Sequence, residues 1–472
     1  MRSWVAVGMV VALLCTLGVT QSSACTVGVV SGSVTRDGRS IMWKNRDNRP
    51  VRQQRLSHYP ATEPGGYAYI GVHTVRGGPT MGLNEAGLAS GNSRADDKGG
   101  YIRNGSFGNR ILATCATIEE VHAKIERQFE LEPDHEDYLW LSGCFPFIDA
   151  QGEAIVYELS KSKDEDIGIW FKAYDAMNSS REAQNLLGIV PRANTFHRRD
   201  DGTDNLDFTD HYQTCRVNVQ GLRTLGILDA TTLIQGSPDR EFEVLRYSHY
   251  GDSRDIARWW TFSAIVVQGV KPGEDPALTT MWTLLGKPDY CLAVPAWVRV
   301  SNIPEVLAEG AMWDRAESLF EKGERDITHA SIFPAESHIF EMVNTVLLPH
   351  WREKGVPPVA EMERVQHRIA NDAYSLLDCL DNRRNDNMPP QIGAIQADIG
   401  GVSTTFSVEA SDPDGEIVSY AWDFGDGTVS EETSPRHDYS QAGTYLISCT
   451  VTDNDDVSIT SWRYITVGDA GT

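Results

Sequence analysis

The break at Met388-Pro389-Pro390 constrains this chain more than any other short stretch. Paired prolines remove two backbone donors and favour extended backbone before them, so a helix or a sheet interior does not run through them. Before the break, residues 304–380 read as mostly helical, with Met362, Val365, Ile369, Tyr374, Leu376 and Leu377 as a packing stripe. After it, from residue 391, the hydrophobic period falls to two. Residues 381–390 are polar and end in the prolines, so they read as a linker between two folded units. A length of 472 residues agrees with that division, being too long for one ordinary domain.

Downstream of the break the pattern is all-β. Thr404-Thr405-Phe406-Ser407-Val408 alternates, Ser411-Asp412-Pro413-Asp414-Gly415 turns, and further strands read at 420–424, 445–452 and 462–467, a spacing expected of a small sandwich. Trp422-Asp423-Phe424-Gly425-Asp426-Gly427, the 435–439 segment, Gly443-Thr444-Tyr445 and Val451-Thr452-Asp453 resemble a PKD (polycystic kidney disease-type) domain. The resemblance implies a noncatalytic β-sandwich over 391–472, used for adhesion, spacing or substrate approach, with a surface polymer or protein as its partner. Its Asp-Gly pairs read as turn chemistry rather than as a metal site.

The other end of the chain carries a different signal. Arg2 gives a positive start, residues 4–19 are an apolar run, and small or polar residues fill 20–24, which is the pattern of a signal peptide. The run is close to the lower bound of about 17 residues for spanning a bilayer, and polar Thr20, Gln21, Ser22 and Ser23 follow at once. Cleavage after Ala24 is expected, placing Cys25 at the mature amino terminus and the product in a secreted or extracytoplasmic location, the periplasm or cell surface included. A lipoprotein fate for Cys25 is disfavoured by Ser22, where such signals carry a bulky aliphatic residue. Net charge is -24, and losing Arg2 makes it -25, which argues against nucleic acid or anionic membranes as partners. No later segment is long and apolar enough for membrane insertion. Cleavage also removes Cys15 and leaves Cys25, Cys115, Cys144, Cys215, Cys291, Cys379 and Cys449, an odd number in an oxidising compartment. With Cys25 free, the other six allow up to three disulfides or serve as buried hydrophobes.

Between 25 and about 300, short alternating strands, turn signals and a few helices suggest an α+β layered domain. Thr117-Ile118-Glu119-Glu120 reads as a capping box opening a helix whose apolar face carries Val121, Ile125 and Phe129. Residues 26–34 and 40–44 flank Arg36-Asp37-Gly38-Arg39 as a hairpin. Pairing centred on Asp37-Gly38 makes facing residue numbers sum to roughly 75, which returns Asp47 to within a few residues of Cys25. A cysteine at an amino terminus holds a nucleophile and a base in one residue, because free thiol and amine pKa values of about 8.5 and about 8 let a proton pass between them. A neighbouring carboxylate would orient the amine.

Cys25-Thr26-Val27-Gly28, Thr35-Arg36-Asp37-Gly38 and Trp43-Lys44-Asn45-Arg46-Asp47 resemble the N-terminal-nucleophile (Ntn) hydrolases of linear amides: choloylglycine hydrolases, penicillin V acylases, acyltransferases and secreted dipeptidases. Met81-Gly82-Leu83-Asn84-Glu85-Ala86-Gly87-Leu88, Gly91-Asn92-Ser93, the 149–158 segment, Arg192-Ala193-Asn194-Thr195-Phe196, Arg216 and Trp282 to Pro295 continue the pattern in order. The resemblance implies a four-layer αββα sandwich within 25–380, the helical extension starting near 304. It further implies Cys25 as nucleophile, Asp47 beside its amine, Asn92 and Asn194 as amide donors, and Arg216 in the site, with no cofactor and no metal. The implied substrate is a small N-acyl or peptide amide, cleaved through a thioester that water or an acceptor amine resolves. Lys44 departs from the arginine of the bile-salt enzymes and cannot make its bidentate contacts, which weakens bile-salt specificity.

Other readings stand beside these. Cys25 as an ordinary disulfide cysteine is outweighed by its place at the cleavage site. Asn84 and Asn92 are each evenly balanced between a turn and a site residue, and Trp259, Trp260, Trp282 and Trp297 read as core, with the lining of an apolar acyl pocket as the alternative. The sequence has no His-Glu-x-x-His, Cys-x-x-Cys or Gly-x-Ser-x-Gly, so zinc protease and serine hydrolase chemistry lack support. A noncatalytic binding protein carrying a degenerate hydrolase fold is the reading from a different class.

Overall fold

The computed structural model describes residues 25–468 except 34, 36, 48–50, 76, 95–102, 162–168, 177–188 and 193–259. The expected leader, Asn194, Cys215, Arg216 and Trp259 therefore lie outside the described residues.

Cys25 leads directly into β1 (Thr26–Val30), which pairs antiparallel with β2 (Ile41–Asp47). Val27, Val29, Val30, Ile41 and Met42 are all buried, as expected for β-branched and apolar residues on strands covered on both faces. The connection is longer than the tight turn read from the sequence. Thr35 donates its hydroxyl to Arg39 O at 2.8 Å and Gly32 O at 3.2 Å, and Asp37 Oδ1 accepts from Arg39 N at 3.1 Å. Thr26 consequently faces Asn45, Val27 faces Lys44 and Gly28 faces Trp43, so facing numbers sum to 71 rather than 75.

The remaining strands of this part build two sheets. After β3 (Gln54–Tyr59), β4 (Tyr69–Thr74), β5 (Met81–Asn84), β6 (Ala89–Gly91) and β7 (Ser93–Arg94) come β8 (Leu141–Ile148), β9 (Ala154–Lys161) and β10 (Ile169–Asp175). β11 (Ile189–Arg192), β12 (Thr261–Gln268), β13 (Thr280–Leu284) and β14 (Val294–Ala296) follow. One sheet runs β11-β1-β2-β12-β13-β14; the other runs β10-β9-β8-β6-β5-β4-β3, with β7 beside β8. Lys44 of the first sheet donates to Thr80 O, just before β5 of the second, at 3.1 Å, so the two sheets meet face to face.

Helices cover both outer faces, giving the four-layer αββα sandwich. On the second sheet lie α1 (Asn104–Thr114) and α2 (Ile118–Glu130), whose Phe107, Ile111, Val121 and Ile125 pack with Phe145, Phe147 and Leu159. Thr117 caps α2 as its sequence implies, accepting from Glu120 N at 3.2 Å while the Glu120 carboxylate accepts from Ala116 N. On the first sheet lies the helical extension: α3 (Glu305–Ala308), α4 (Ala311–Lys322), α5 (Arg325–Glu341), α6 (Leu348–Lys354) and α7 (Val359–Asn382). Trp282 of β13 meets Phe340 at 4.4 Å between ring centroids, and Trp297 meets Trp351 at 5.2 Å. Trp260, Trp282 and Trp297 are thus core residues, and Met362, Val365, Ile369, Leu376 and Leu377 form the buried stripe of α7. No described helix is long and apolar enough to cross a membrane. Cys25, Cys115, Cys144, Cys291, Cys379 and Cys449 are free and buried, so the disulfides allowed by the cysteine count do not form among the described residues.

A separate core of Phe406, Trp422, Phe424, Tyr439, Ile447, Cys449 and Val451 holds the C-terminal sandwich. Its strands are β15 (Gln391–Ile392), β16 (Gln396–Gly400), β17 (Ser403–Ser407), β18 (Ala410–Ser411), β19 (Ile417–Asp423), β20 (Val429–Ser430), β21 (Arg436–Asp438), β22 (Gly443–Asp453) and β23 (Ser458–Val467). They form the sheets β16-β17-β21 and β20-β19-β22-β23, with β15 paired to β18.

This sandwich is seated on the helical extension. Trp462, Val457 and Leu446 belong to the same apolar cluster as α5 and α7. Around them Thr460 donates to Asp372 at 2.6 Å, His338 Nε2 lies 2.8 Å from Thr460 O, and Trp351 Nε1 donates to Tyr464 OH at 2.6 Å. The polar segment after α7 is pinned as well, since Arg384 reaches Asp414 at 2.6 Å and Asp455 at 3.1 Å.

Two outcomes follow from this seat. Trp462→Ala should lower stability by about 3–5 kcal/mol, the range for truncating a buried aromatic, and the urea unfolding midpoint of the helical extension should fall with it. Burial pushes the Asp372 carboxyl up to about 6, against Arg368 and Thr460, which pull it down. A folded-state value above the unfolded one means that the folded protein binds the proton first as pH falls. Stability is therefore gained below about pH 6 and lost as pH rises through that value. Asp372→Asn should exceed wild type by up to about 3 kcal/mol at pH 7 to 8, and the gap should close near pH 4, as read by denaturation across that range.

Candidate active site

The register of β1 on β2 decides which groups meet Cys25. Because β2 extends to Asp47 while β1 begins at Thr26, the last two residues of β2 overhang the start of β1, where Cys25 sits. The Cys25 thiol accepts from Asp47 N at 3.5 Å and donates to Asp47 O at 3.6 Å. Cys25 is 8% exposed and Asp47 3%. The Asp47 carboxylate is held from the neighbouring strand, where the Thr261 hydroxyl donates to Oδ1 at 2.5 Å. Thr261 and Asp47 are also register partners in the β2–β12 ladder, next to a bulge between Thr261 and Ser263. That irregularity re-aims the end of the strand.

The opposite sheet supplies the other side. Ser93 donates to Cys25 O at 3.3 Å, and Asn92 Nδ2 donates to Thr80 O at 3.1 Å, the carbonyl that also takes the Lys44 ammonium. Ser93 reaches this position because β7 approaches β8 at Gly143. A Cβ there would stand 2.0 Å from Ser93 O, which only glycine avoids. Cys25 and Asp47 are thus brought together between the sheets, while the Asn92 amide is turned to Thr80 O. Asn84 is used up in structure: Nδ2 donates to Leu112 O and Cys115 O, and Oδ1 accepts from Ala86 N and Leu88 N.

Two cations share this layer. Lys44 is 1% exposed, and burial lowers its pKa to about 8. Arg46 donates to Gln54 Oε1 at 2.8 Å and stands 5.4 Å from the Phe262 ring centroid, with burial lowering it to about 10. Burial pushes the Cys25 thiol up; Lys44 opposes that rise most, the Asp47 carboxylate adds to it, and the Asp47 N–H and Arg46 draw it down. Chemically this is a thiol held on the Asp47 backbone, with two buried cations that oppose the rise burial gives it and could stabilise an oxyanion. No group of three or more His, Cys, Asp or Glu among the described residues could hold a metal.

Thr261, Ser93 and the part played by Lys44 escape a sequence reading. Thr261 is 214 positions from Asp47 and carries no motif. Ser93 ends the Gly91-Asn92-Ser93 motif, and Lys44 stood out as a departure from the amide-hydrolase pattern; both are visible in sequence without their geometry.

Lys44→Met should slow alkylation of Cys25 by iodoacetamide about tenfold at pH 7, because the side chain that most opposes the rise of the thiol is gone. The gap should narrow above pH 8, where Lys44 itself loses its proton. Mass spectrometry of the Cys25 peptide over time measures both.

Comparison with known proteins matches residues 387–467 to the PKD domain and residues 34–200 to the acyl-coenzyme A:6-aminopenicillanic acid acyl-transferase family. The second span begins after Cys25 and includes Asp47, Asn92 and Asn194. A microbial collagenase of Vibrio alginolyticus is 44% identical over 72 residues, 15% of this chain and 9% of the collagenase. This chain therefore spans less than a tenth of that curated relative. Among solved structures, the PKD1 domain of Vibrio anguillarum Epp is 38% identical, covering 18% of this chain and 98% of that one with a TM-score of 0.17. Penicillin V acylase from Agrobacterium tumefaciens is 12% identical, covering 59% and 87% with a TM-score of 0.35. The chain is thus similar to a PKD domain over residues 387–467 and to an acyl-transferase family over residues 34–200.

Proposed function

We propose that this protein is an exported enzyme that opens linear carbon–nitrogen amide or peptide bonds through a thioester on Cys25. The observation that carries the reading is the Cys25 thiol packed against Asp47 where the two sheets meet. In the full chain the Cys25 nitrogen is an amide; removal of residues 1–24 would turn it into an α-amine.

That amine takes the thiol proton, and the thiolate sulfur attacks the substrate carbonyl carbon. Asp47, oriented by Thr261, holds the resulting α-ammonium. The tetrahedral oxyanion draws on side-chain amides, with Asn92 and Asn194 in that role, and Arg216 completes the site. As the C–N bond breaks, the ammonium returns its proton to the leaving nitrogen. The thioester then passes its acyl group to water or to an acceptor amine, and the thiol is restored. The match to an acyl-transferase family favours the amine as acceptor. The PKD domain, held against the helical extension, presents this unit to a surface polymer or protein.

The secreted protein should begin at Cys25, and Cys25→Ala should abolish release of amine from a panel of N-acyl amino acids, dipeptides and β-lactam side-chain amides. Cys25→Ser should lose most of it. An acyl adduct on Cys25 in mass spectra, and its partition between acid and new amide as acceptor amine is added, separate hydrolysis from transfer. A mature chain that begins upstream of Cys25 and remains active would overturn the reading.

A further inference from the structure

Removal of residues 1–24 would leave Cys25 at a chain end, and chain ends stay ordered only where something ties them down. The ladders of β1 do not reach it. They begin one residue later, with Thr26 on Asn45 of β2, and two later, with Val27 on Arg192 of β11. Cys25 is instead held at two points beyond the strand. Its sulfur lies 3.5 Å from Asp47 N and 3.6 Å from Asp47 O, and its carbonyl oxygen accepts from the Ser93 hydroxyl at 3.3 Å. The first contact comes from its own sheet and the second from the opposite one.

Ser93 is built into that opposite sheet. It is fully buried, and the two-residue strand β7 pairs Ser93 with Cys144 and Arg94 with Gly143 of β8. Asn104, the first residue of α1, braces β8 beside this pairing: it donates to Ser142 O at 2.7 Å and accepts from Ser142 N at 3.1 Å. A Cβ on Gly143 would fall 2.0 Å from Ser93 O and 2.9 Å from Asn104 Nδ2, so the three residues close on one another where glycine leaves room. The start of α1 thus backs the strand that presents the Ser93 hydroxyl to Cys25.

We propose that Ser93 is a positioning residue for the Cys25 nucleophile: by holding the Cys25 carbonyl from the second sheet, it keeps the freed amino terminus from fraying and the thiol on the Asp47 backbone. The inference rests on the proposed role of Cys25. Without the Ser93 bond, the weak sulfur contact is left to resist excursions of the terminus into water. Burial is the largest influence on the Cys25 thiol and raises it, the Asp47 carboxylate adds to that, and Lys44, Arg46 and the Asp47 N–H lower it without cancelling the rise. A frayed Cys25 would therefore ionise more readily while standing out of place for attack. Loss of the pin moves two observables in opposite directions, with turnover falling and thiol reactivity rising.

The test uses the mature full chain, with kcat and KM read on an N-acyl amide that it cleaves and alkylation by iodoacetamide at pH 7 followed by mass spectrometry of each cysteine peptide. Ser93→Ala should lower kcat about tenfold with KM held within about twofold, because a small misplacement of a reacting group is enough for that loss. The same variant should be alkylated at Cys25 about threefold faster. Cys115 and Cys291, buried in the same part of the chain, are the internal control and should keep their wild-type rates. Asn104→Ala, which retains the hydroxyl and loosens the β8 backbone behind it, should move both observables the same way by a smaller factor, and gives the answer if Ser93→Ala does not fold. Wild-type kcat in the folded variants, or alkylation that slows together with turnover, overturns the proposal. So does a gain in reactivity shared by Cys115 and Cys291, which marks general loosening. Wild-type mature protein that cleaves no amide overturns the parent reading instead, and the alkylation rates then still decide whether Ser93 pins Cys25.

Discussion

The pairing of β1 with β2 and of β2 with β12 is the constraint on which the rest of the site depends. A shift of one residue in a strand reverses which face each side chain occupies. With Thr26 on Asn45, Asp47 overhangs the start of β1 and lies against Cys25; with Thr261 on Asp47, a hydroxyl meets its carboxylate. Neither contact survives a slip in either ladder. The apolar residues of both strands, buried against the second sheet and the helices, make such a slip costly.

Electrostatics around that junction follow from burial rather than from net charge. The chain is strongly acidic, yet buried Lys44 and Arg46 lie near the Cys25 thiol and Asp47. In low-dielectric surroundings a few buried charges outweigh many solvated ones, because water screens the latter. The acidic surface favours solubility, while at the site Lys44 and Arg46 oppose, without cancelling, the burial that raises the Cys25 thiol.

The helical extension links the two halves of the molecule. Its inner side packs on β13 through Trp282 and Phe340, and its outer side receives Trp462, Tyr464 and Thr460 of the C-terminal sandwich. The PKD domain is therefore seated on the helical extension, with Asp372 buried under it. A spacer of flexible chain would leave the orientation between the units free; Arg384 and the buried tryptophans restrict it here.

Much of the fold was legible in the residues. Period-two alternation, the Met-Pro-Pro break, the Thr117 cap and the α7 stripe are local patterns, and local patterns report local structure. Cys25, Asp47 and Asn92 were nominated by motif and spacing; Cys25 and Asp47 are in contact, while Asn92 donates to Thr80 O. The hairpin register was not legible, because residues 31–40 close through Thr35 and Asp37 contacts instead of the tight turn that Asp37-Gly38 suggests. Nor were Thr261 and Ser93, whose partners lie 214 and 68 positions away. The sequence by itself determined the layers, the two units and the nucleophile's candidate position. Only the tertiary structure decided which groups surround that thiol, since ladder register, bulges and sheet-on-sheet approach join residues that no local pattern relates.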